Sequence, residues 1–131
     1  MSNATPNVDD IARTLRLFVP NGDIGEIRVI GCGAPFGTYF PHDDIDDAAK
    51  FAATYSTTAK GTYVVMNRID PALGTRPKLI DSNVLTKDAD IIRRRHLLID
   101  FDPSSPERGA NDSATDAEKE AARLRMEECY E

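Results

Sequence analysis

The chain has 131 residues, 40% of them apolar and 29% charged, with eight Gly, eight Pro and no Trp, the balance of one soluble globular domain spanning residues 1–131. A formal net charge of −6 excludes a protein whose whole surface wraps nucleic acid, and the two cysteines, Cys32 and Cys129, suit neither a disulfide framework nor a zinc site and read as reduced thiols in a cytoplasmic protein. No apolar run nears the roughly 18 residues needed to span a bilayer, so no membrane partner is expected.

Charge placement says more than its sum. Residues 1–59 hold four Lys/Arg against eight Asp/Glu, residues 60–95 hold eight against four, and residues 96–131 hold four against ten. A basic middle between acidic ends can attract phosphates locally, because salt screens charges beyond about 8 Å at physiological ionic strength.

In chain order, residues 1–10 read as a loose lead-in, and residues 11–19 fit a short helix or a strand equally well. After the turn-forming Asn21-Gly22-Asp23, the alternation Glu26-Ile27-Arg28-Val29-Ile30 predicts a strand with Ile27 and Val29 on one face, closed by Gly31-Cys32-Gly33. Gly31, Gly33 and Gly37 nearly spell a dinucleotide-binding loop, but Phe36 and Pro35 occupy positions that such a loop and its helix need, so a turn is expected. Asp43 is placed to cap a helix whose apolar positions are Ile45, Ala48, Ala49, Ala52 and Tyr55, ending before Gly61. The acids Asp44, Asp46 and Asp47 suit its N-terminal dipole and lack the spacing of a calcium loop.

Residues 62–67 read as a strand, and Pro71, Gly74 and Pro77 make the following stretch an irregular connection carrying Arg68, Arg76 and Lys78. Residues 91–101 pass through three arginines into Leu97-Leu98-Ile99, then Asp100-Phe101-Asp102-Pro103, predicting a buried strand that ends in a turn. Residues 104–113 form a polar loop, and Thr115 with Glu118 is a capping-box pattern opening a last helix with Ala117, Ala121 and Leu124 inward.

On such a strand Asp100 and Asp102 emerge side by side, since side chains alternate between faces. Two close carboxylates repel when ionised, and a divalent cation is the simplest compensation. Hard oxygen ligands point to Mg²⁺ or Mn²⁺, and thus to phosphoryl or nucleotidyl transfer. Arg94 and His96 share the aspartate face by the same alternation, which makes Arg94 a candidate for a nucleotide phosphate. His96 alone reads as a structural or surface histidine.

An ordered series of short motifs resembles the archaeo-eukaryotic primase superfamily, specifically the primase-polymerase domains of phage and plasmid replication proteins. Glu26-Ile27-Arg28 is similar to that family's Glu-x-Arg strand, Tyr39-Phe40 to its aromatic pair and Tyr63-Val64-Val65-Met66-Asn67 to its Tyr-x-x-x-Asn strand. Asn83, residues 86–91, residues 93–103 and residues 114–118 follow in the family's order, over residues 25–122 in all. The resemblance implies an α/β (α+β) fold, a mixed or antiparallel sheet with packed helices. It also implies a DNA replication protein, a DNA primase and DNA polymerase type nucleotidyltransferase. Asp100 and Asp102 would be its catalytic metal ligands for Mg²⁺ or Mn²⁺, and Arg28, Arg94 and Asn67 would bind nucleotide or phosphate. Nucleoside triphosphates and a DNA template are the implied partners.

The chain departs from the family pattern in two residues: Arg68 follows Asn67 where a proline is usual, and Ser105-Pro106 replaces an Arg-Pro pair. A later Ser-x-His type motif and a third metal-binding Asp are also missing, so the expectation is the N-terminal part of a catalytic domain, inactive by itself. Its open sheet edge would favour a homodimer or pairing with the remainder. A nucleotide-sugar glycosyltransferase would use the same carboxylate pair but lacks the ordered motifs, and Pro-Ser after Asp102 disfavours a haloacid-dehalogenase-like phosphatase. The alternative is a non-catalytic module binding DNA or a replication partner through the basic middle.

Overall fold

A computed structural model describes residues 5–76, 79–81, 83–103 and 113–130. The chain divides into two compact units, Met1–His96 and Leu97–Glu131.

The first unit opens with helix α1, Val8–Phe18. The loose lead-in expected there is instead a cap: Asn7 Oδ1 accepts the N–H groups of Asp9 at 3.0 Å and Asp10 at 3.2 Å, supplying acceptors that a helix start otherwise lacks. The apolar spacing Ala12, Leu15 then buries one stripe and settles residues 11–19 as helix.

Strands β1, Ile24–Ile30, and β2, Phe36–Pro41, form an antiparallel hairpin with Glu26 opposite Tyr39 and Arg28 opposite Gly37. Gly31 and Gly33 take φ of 85° and 79° in its turn, the conformation that favours glycine. No dinucleotide-binding loop forms. Strand β3, Gly61–Val64, joins the free side of β1, with Tyr63 opposite Arg28. A short strand between the two sheets in sequence, β4, Arg68–Ile69, belongs elsewhere, and β5, Ile80–Asp81, pairs with Phe36 and Gly37 of β2. The order in the main sheet is β3-β1-β2-β5, antiparallel throughout. The α+β class is therefore observed, three helices with a small antiparallel sheet.

Helix α2, Ile45–Ser56, buries Ile45, Ala48, Ala49 and Ala52 as the periodicity predicts. Asp43 is not its cap: residues His42–Asp44 form a single 3-10 turn, and Asp44 stands at the cap position without a side-chain bond. Asp46 and Asp47 remain in the first turn to complement the dipole. Tyr55 closes an aromatic group with Phe36 and Phe51, at ring distances of 5.0 and 4.9 Å.

Alternation along the strands divides the interior in two. Ile27 and Phe40 face α1 and α2 and join Leu15, Val19, Ile45 and Ala49 in one core. Tyr39 faces the other way, with Ile69, Leu73, Ile80 and Leu85. That second core lies under the irregular stretch after β3, where Asp70 caps a 3-10 turn over Pro71–Thr75. Pro77 and Lys78 lie outside the described residues.

The strand expected over residues 62–67 keeps its regular pairing only through Val64. The buried strand expected over residues 91–101 is shorter still: β6 is Ile91–Arg93, paired with the two residues of β4 across a register irregularity. A strand needs a partner for its N–H groups, and past Arg93 the side chain of Asn67 takes over, its Oδ1 accepting from Arg95 N–H at 2.8 Å and His96 N–H at 2.9 Å.

In the second unit residues 97–103 have no regular structure, and Leu97, Leu98 and Ile99 are 82%, 74% and 53% exposed, the reverse of the burial expected. Helix α3, Asp116–Glu128, opens with the predicted capping box: Thr115 Oγ1 accepts from Glu118 N–H and Glu118 Oε2 from Thr115 N–H. Its inner face differs from expectation. Ala122 is the buried position, flanked by Lys119 and Met126 against Ile99 and Phe101, whereas Ala117, Ala121 and Leu124 are exposed. The small unit has too little apolar surface to cover a full stripe, so stems of long side chains do part of the covering. The polar loop expected at residues 104–113, including Ser105 and Pro106, lies outside the described residues except for Ser113. Among the described residues no helix is long and apolar enough to cross a membrane.

Candidate functional site

On the face of β1 away from the helices, Glu26 and Arg28 stand two residues apart and therefore side by side. Glu26 is fully buried. A carboxylate there is tolerated only with charge and hydrogen-bond partners, and Glu26 has both: Oε1 accepts from Arg28 Nε at 2.9 Å and Oε2 from Thr86 N–H at 2.8 Å. Arg28 Nη2 in turn donates to the Thr86 carbonyl at 2.8 Å. The Thr86 hydroxyl lies 2.9 Å from the Tyr39 hydroxyl. Each polar group of Thr86 is thus held by a different side chain, Glu26 on the N–H, Arg28 on the C=O and Tyr39 on Oγ1.

Neighbouring bonds extend this clasp. Arg76 donates to the Val84 carbonyl, and its guanidinium carbon stands 6.0 Å from the Tyr39 ring centroid. Burial pushes the Tyr39 phenol above its ordinary value; the Thr86 hydroxyl opposes the rise, the negative Glu26 adds to it and Arg76 also opposes it. Gly37, opposite Arg28, has no room for a side chain: a Cβ there would lie 2.4 Å from the Ile27 carbonyl oxygen.

A second polar group sits around Asp23, whose side chain is 11% exposed. It pairs with Arg95, and Arg68 Nε lies 3.3 Å from its Oδ1. That Arg68 N–H points off the hydrogen-bond line and is buried without an acceptor. His96, half-buried, packs edge-on against Phe18 at 5.1 Å. With the two bonds from Asn67 to the Arg95 and His96 N–H groups, this arrangement fixes the chain just past Arg94, which is exposed.

The residues singled out from the sequence thus fall in different settings. Arg28 is half-buried in the clasp. Asn67 uses its carbonyl oxygen on backbone, with no acceptor for its amide NH₂ among the described residues, and Arg94 is a solvent-facing cation. Asp100 and Asp102 belong to the second unit and are both exposed; among the described residues neither carboxylate has a hydrogen bond or ion pair, and Arg125 Nη2 donates to the Asp102 carbonyl at 3.2 Å. Among the described residues no group of three His, Cys, Asp or Glu side chains gathers as a metal site. The two carboxylates are hard oxygen donors of the kind that hold an ion completed by water and phosphate, and Lys119 and Arg123 line the same pocket as Asp100, with Arg125 beside the Asp102 carbonyl.

The partners of Thr86 and the Asp23 pairings are what sequence reasoning missed. An acid inside an otherwise apolar alternating strand, with an arginine two positions on, is the local signal that a buried pair is needed. No protein-family model, curated protein or solved structure matches this chain.

Proposed function

We propose that the chain serves metal-dependent nucleotidyl transfer in DNA replication, as a part of a primase-polymerase type catalytic domain. The observation that carries this reading is the contrast between its carboxylates: Glu26 and Asp23 are spent on internal cations, whereas the carboxylates of Asp100 and Asp102, two apart at the end of an apolar run, have no partner among the described residues. Two carboxylates two residues apart in sequence suit a hard divalent cation, Mg²⁺ or Mn²⁺. When bound, that ion would carry the triphosphate of an incoming nucleotide and polarise it for attack. The family resemblance also assigns nucleotide or phosphate binding to Arg28, Arg94 and Asn67, all in the first unit.

Calorimetric titration of Mn²⁺, with and without a deoxynucleoside triphosphate, tests it against the chain carrying Asp100→Asn and Asp102→Asn. Binding that strengthens with triphosphate and vanishes in the double variant is expected; equal binding by both proteins would sink the reading. A second reading rests on the exposed Arg93 and Arg94 at the end of β6: a non-catalytic module that holds DNA. It requires salt-sensitive DNA binding that survives loss of both aspartates.

A further inference from the structure

We propose that Arg68 and Arg93 form a phosphate-binding pair across the β4–β6 ribbon, with Arg95 beside them; the resemblance does not imply this site, since its pattern has a proline where Arg68 stands. In register Arg68 lies directly opposite Arg93. Cross-strand partners share a face, and like charges set opposite each other destabilise the pairing. Strands of two and three residues have few ladder bonds to set against that repulsion.

Asp23 does not cancel it. Its carboxylate is already paired with Arg95, and Arg68 Nε, 3.3 Å from Oδ1, has no hydrogen bond to it. The neighbouring Asp70 and Asp90 are turned to backbone, Oδ1 of Asp70 accepting from the Ala72 N–H and Oδ2 of Asp90 from the Lys87 N–H. Three guanidinium groups therefore share one carboxylate, and that carboxylate lies on the inner side: the Asp23 side chain is 11% exposed against 36% for Arg68, and Arg93 is exposed with no partner among the described residues. An anion held between Arg68 and Arg93 turns one repulsion into two attractions. Each guanidinium presents its N–H groups as a planar fork that matches the oxygens of a phosphate, which the ammonium of a lysine does not. The ligand is a phosphate group, carried by a nucleic-acid strand, which rests on the DNA readings above, or free in solution.

The test is an NMR titration of the unmodified chain at constant ionic strength with a chelator present, first with inorganic phosphate and then with a single-stranded oligothymidylate. Saturable shifts of the β4 and β6 amides are expected. Arg93→Gln and Arg68→Gln should each weaken binding about tenfold, and Arg13→Gln, on exposed α1, should leave it unchanged. A second readout separates a facing pair from a general basic surface: in chloride alone Arg93→Gln should unfold at higher urea than the unmodified chain, because the repulsion is gone, and phosphate should add nothing to it. If Arg68→Gln does not fold, Arg93→Gln decides alone. Oligothymidylate binding that Arg93→Gln weakens supports the pair and assigns the phosphate to a nucleic acid; a response to inorganic phosphate alone supports it and assigns a free anion. Absence of saturable binding by either probe, or an Arg93→Gln chain that binds as the unmodified chain does or is less stable in chloride, overturns the proposal. Because the chelator removes any metal, failure of the Mn²⁺ titration with success here would remove the metal reading and leave this one standing.

Discussion

Glu26 and the pair Asp100 and Asp102 are carboxylates treated in opposite ways. Glu26 is sealed in the sheet with every oxygen engaged, and its removal would strand Arg28 and the Thr86 N–H. Asp100 and Asp102 are exposed, as are Leu98 and Ile99 before them, and among the described residues no group takes a bond from either carboxylate. The difference separates a carboxylate that builds a scaffold from a pair free to meet something from outside.

The largest break in that contrast should come from Glu26→Ala. Removing one member of a buried pair leaves an uncompensated charge, so a loss of about 3 kcal/mol is expected in urea denaturation. Gly37→Ala attacks the same face through shape: its Cβ meets a backbone oxygen, which cannot swing away, and overpacking of this kind should cost about 2 kcal/mol by the same measurement.

A gentler probe is pH. The Tyr39 phenol is raised above its ordinary value of 10.0, mainly by burial, so the folded chain holds that proton after the unfolded chain has lost it. Stability is whole below pH 10 and falls as pH rises past it toward the raised folded value. Denaturation at pH 9 and pH 11 should therefore show a loss in the unmodified chain that is smaller in Tyr39→Phe.

The smallest effect is expected from Asp100→Asn with Asp102→Asn. The melting transition should hold within about 0.5 kcal/mol, the range of surface changes, while Mn²⁺ binding disappears. A large drop in stability would erase the contrast and make these aspartates part of the scaffold.

Features that depend on neighbours in sequence were legible. The Ile27 and Val29 face, the burial of Ala48, Ala49 and Ala52, and the Thr115–Glu118 box all follow from spacings of two, three or four residues. The start of α1 was missed because Asn7 precedes the apolar pattern that reveals a helix. The strand through Leu97 to Phe101 was misjudged for a different reason: alternation and apolarity describe a willing strand, but a strand exists only where a partner accepts its hydrogen bonds. At the site, alternation places Glu26 beside Arg28, yet nothing in the local pattern points to Thr86 as the residue they share.

The clasp on Thr86 joins residues 60, 58 and 47 positions apart. Closing loops of that length is entropically slow compared with forming the β1–β2 hairpin, whose turn is short. The clasp should therefore close late, after the folding barrier, and its loss should be felt mainly as faster unfolding with little change in the folding rate. The bonds that hold Thr86 in place are, in kinetic terms, what sets how long the folded chain lasts once formed.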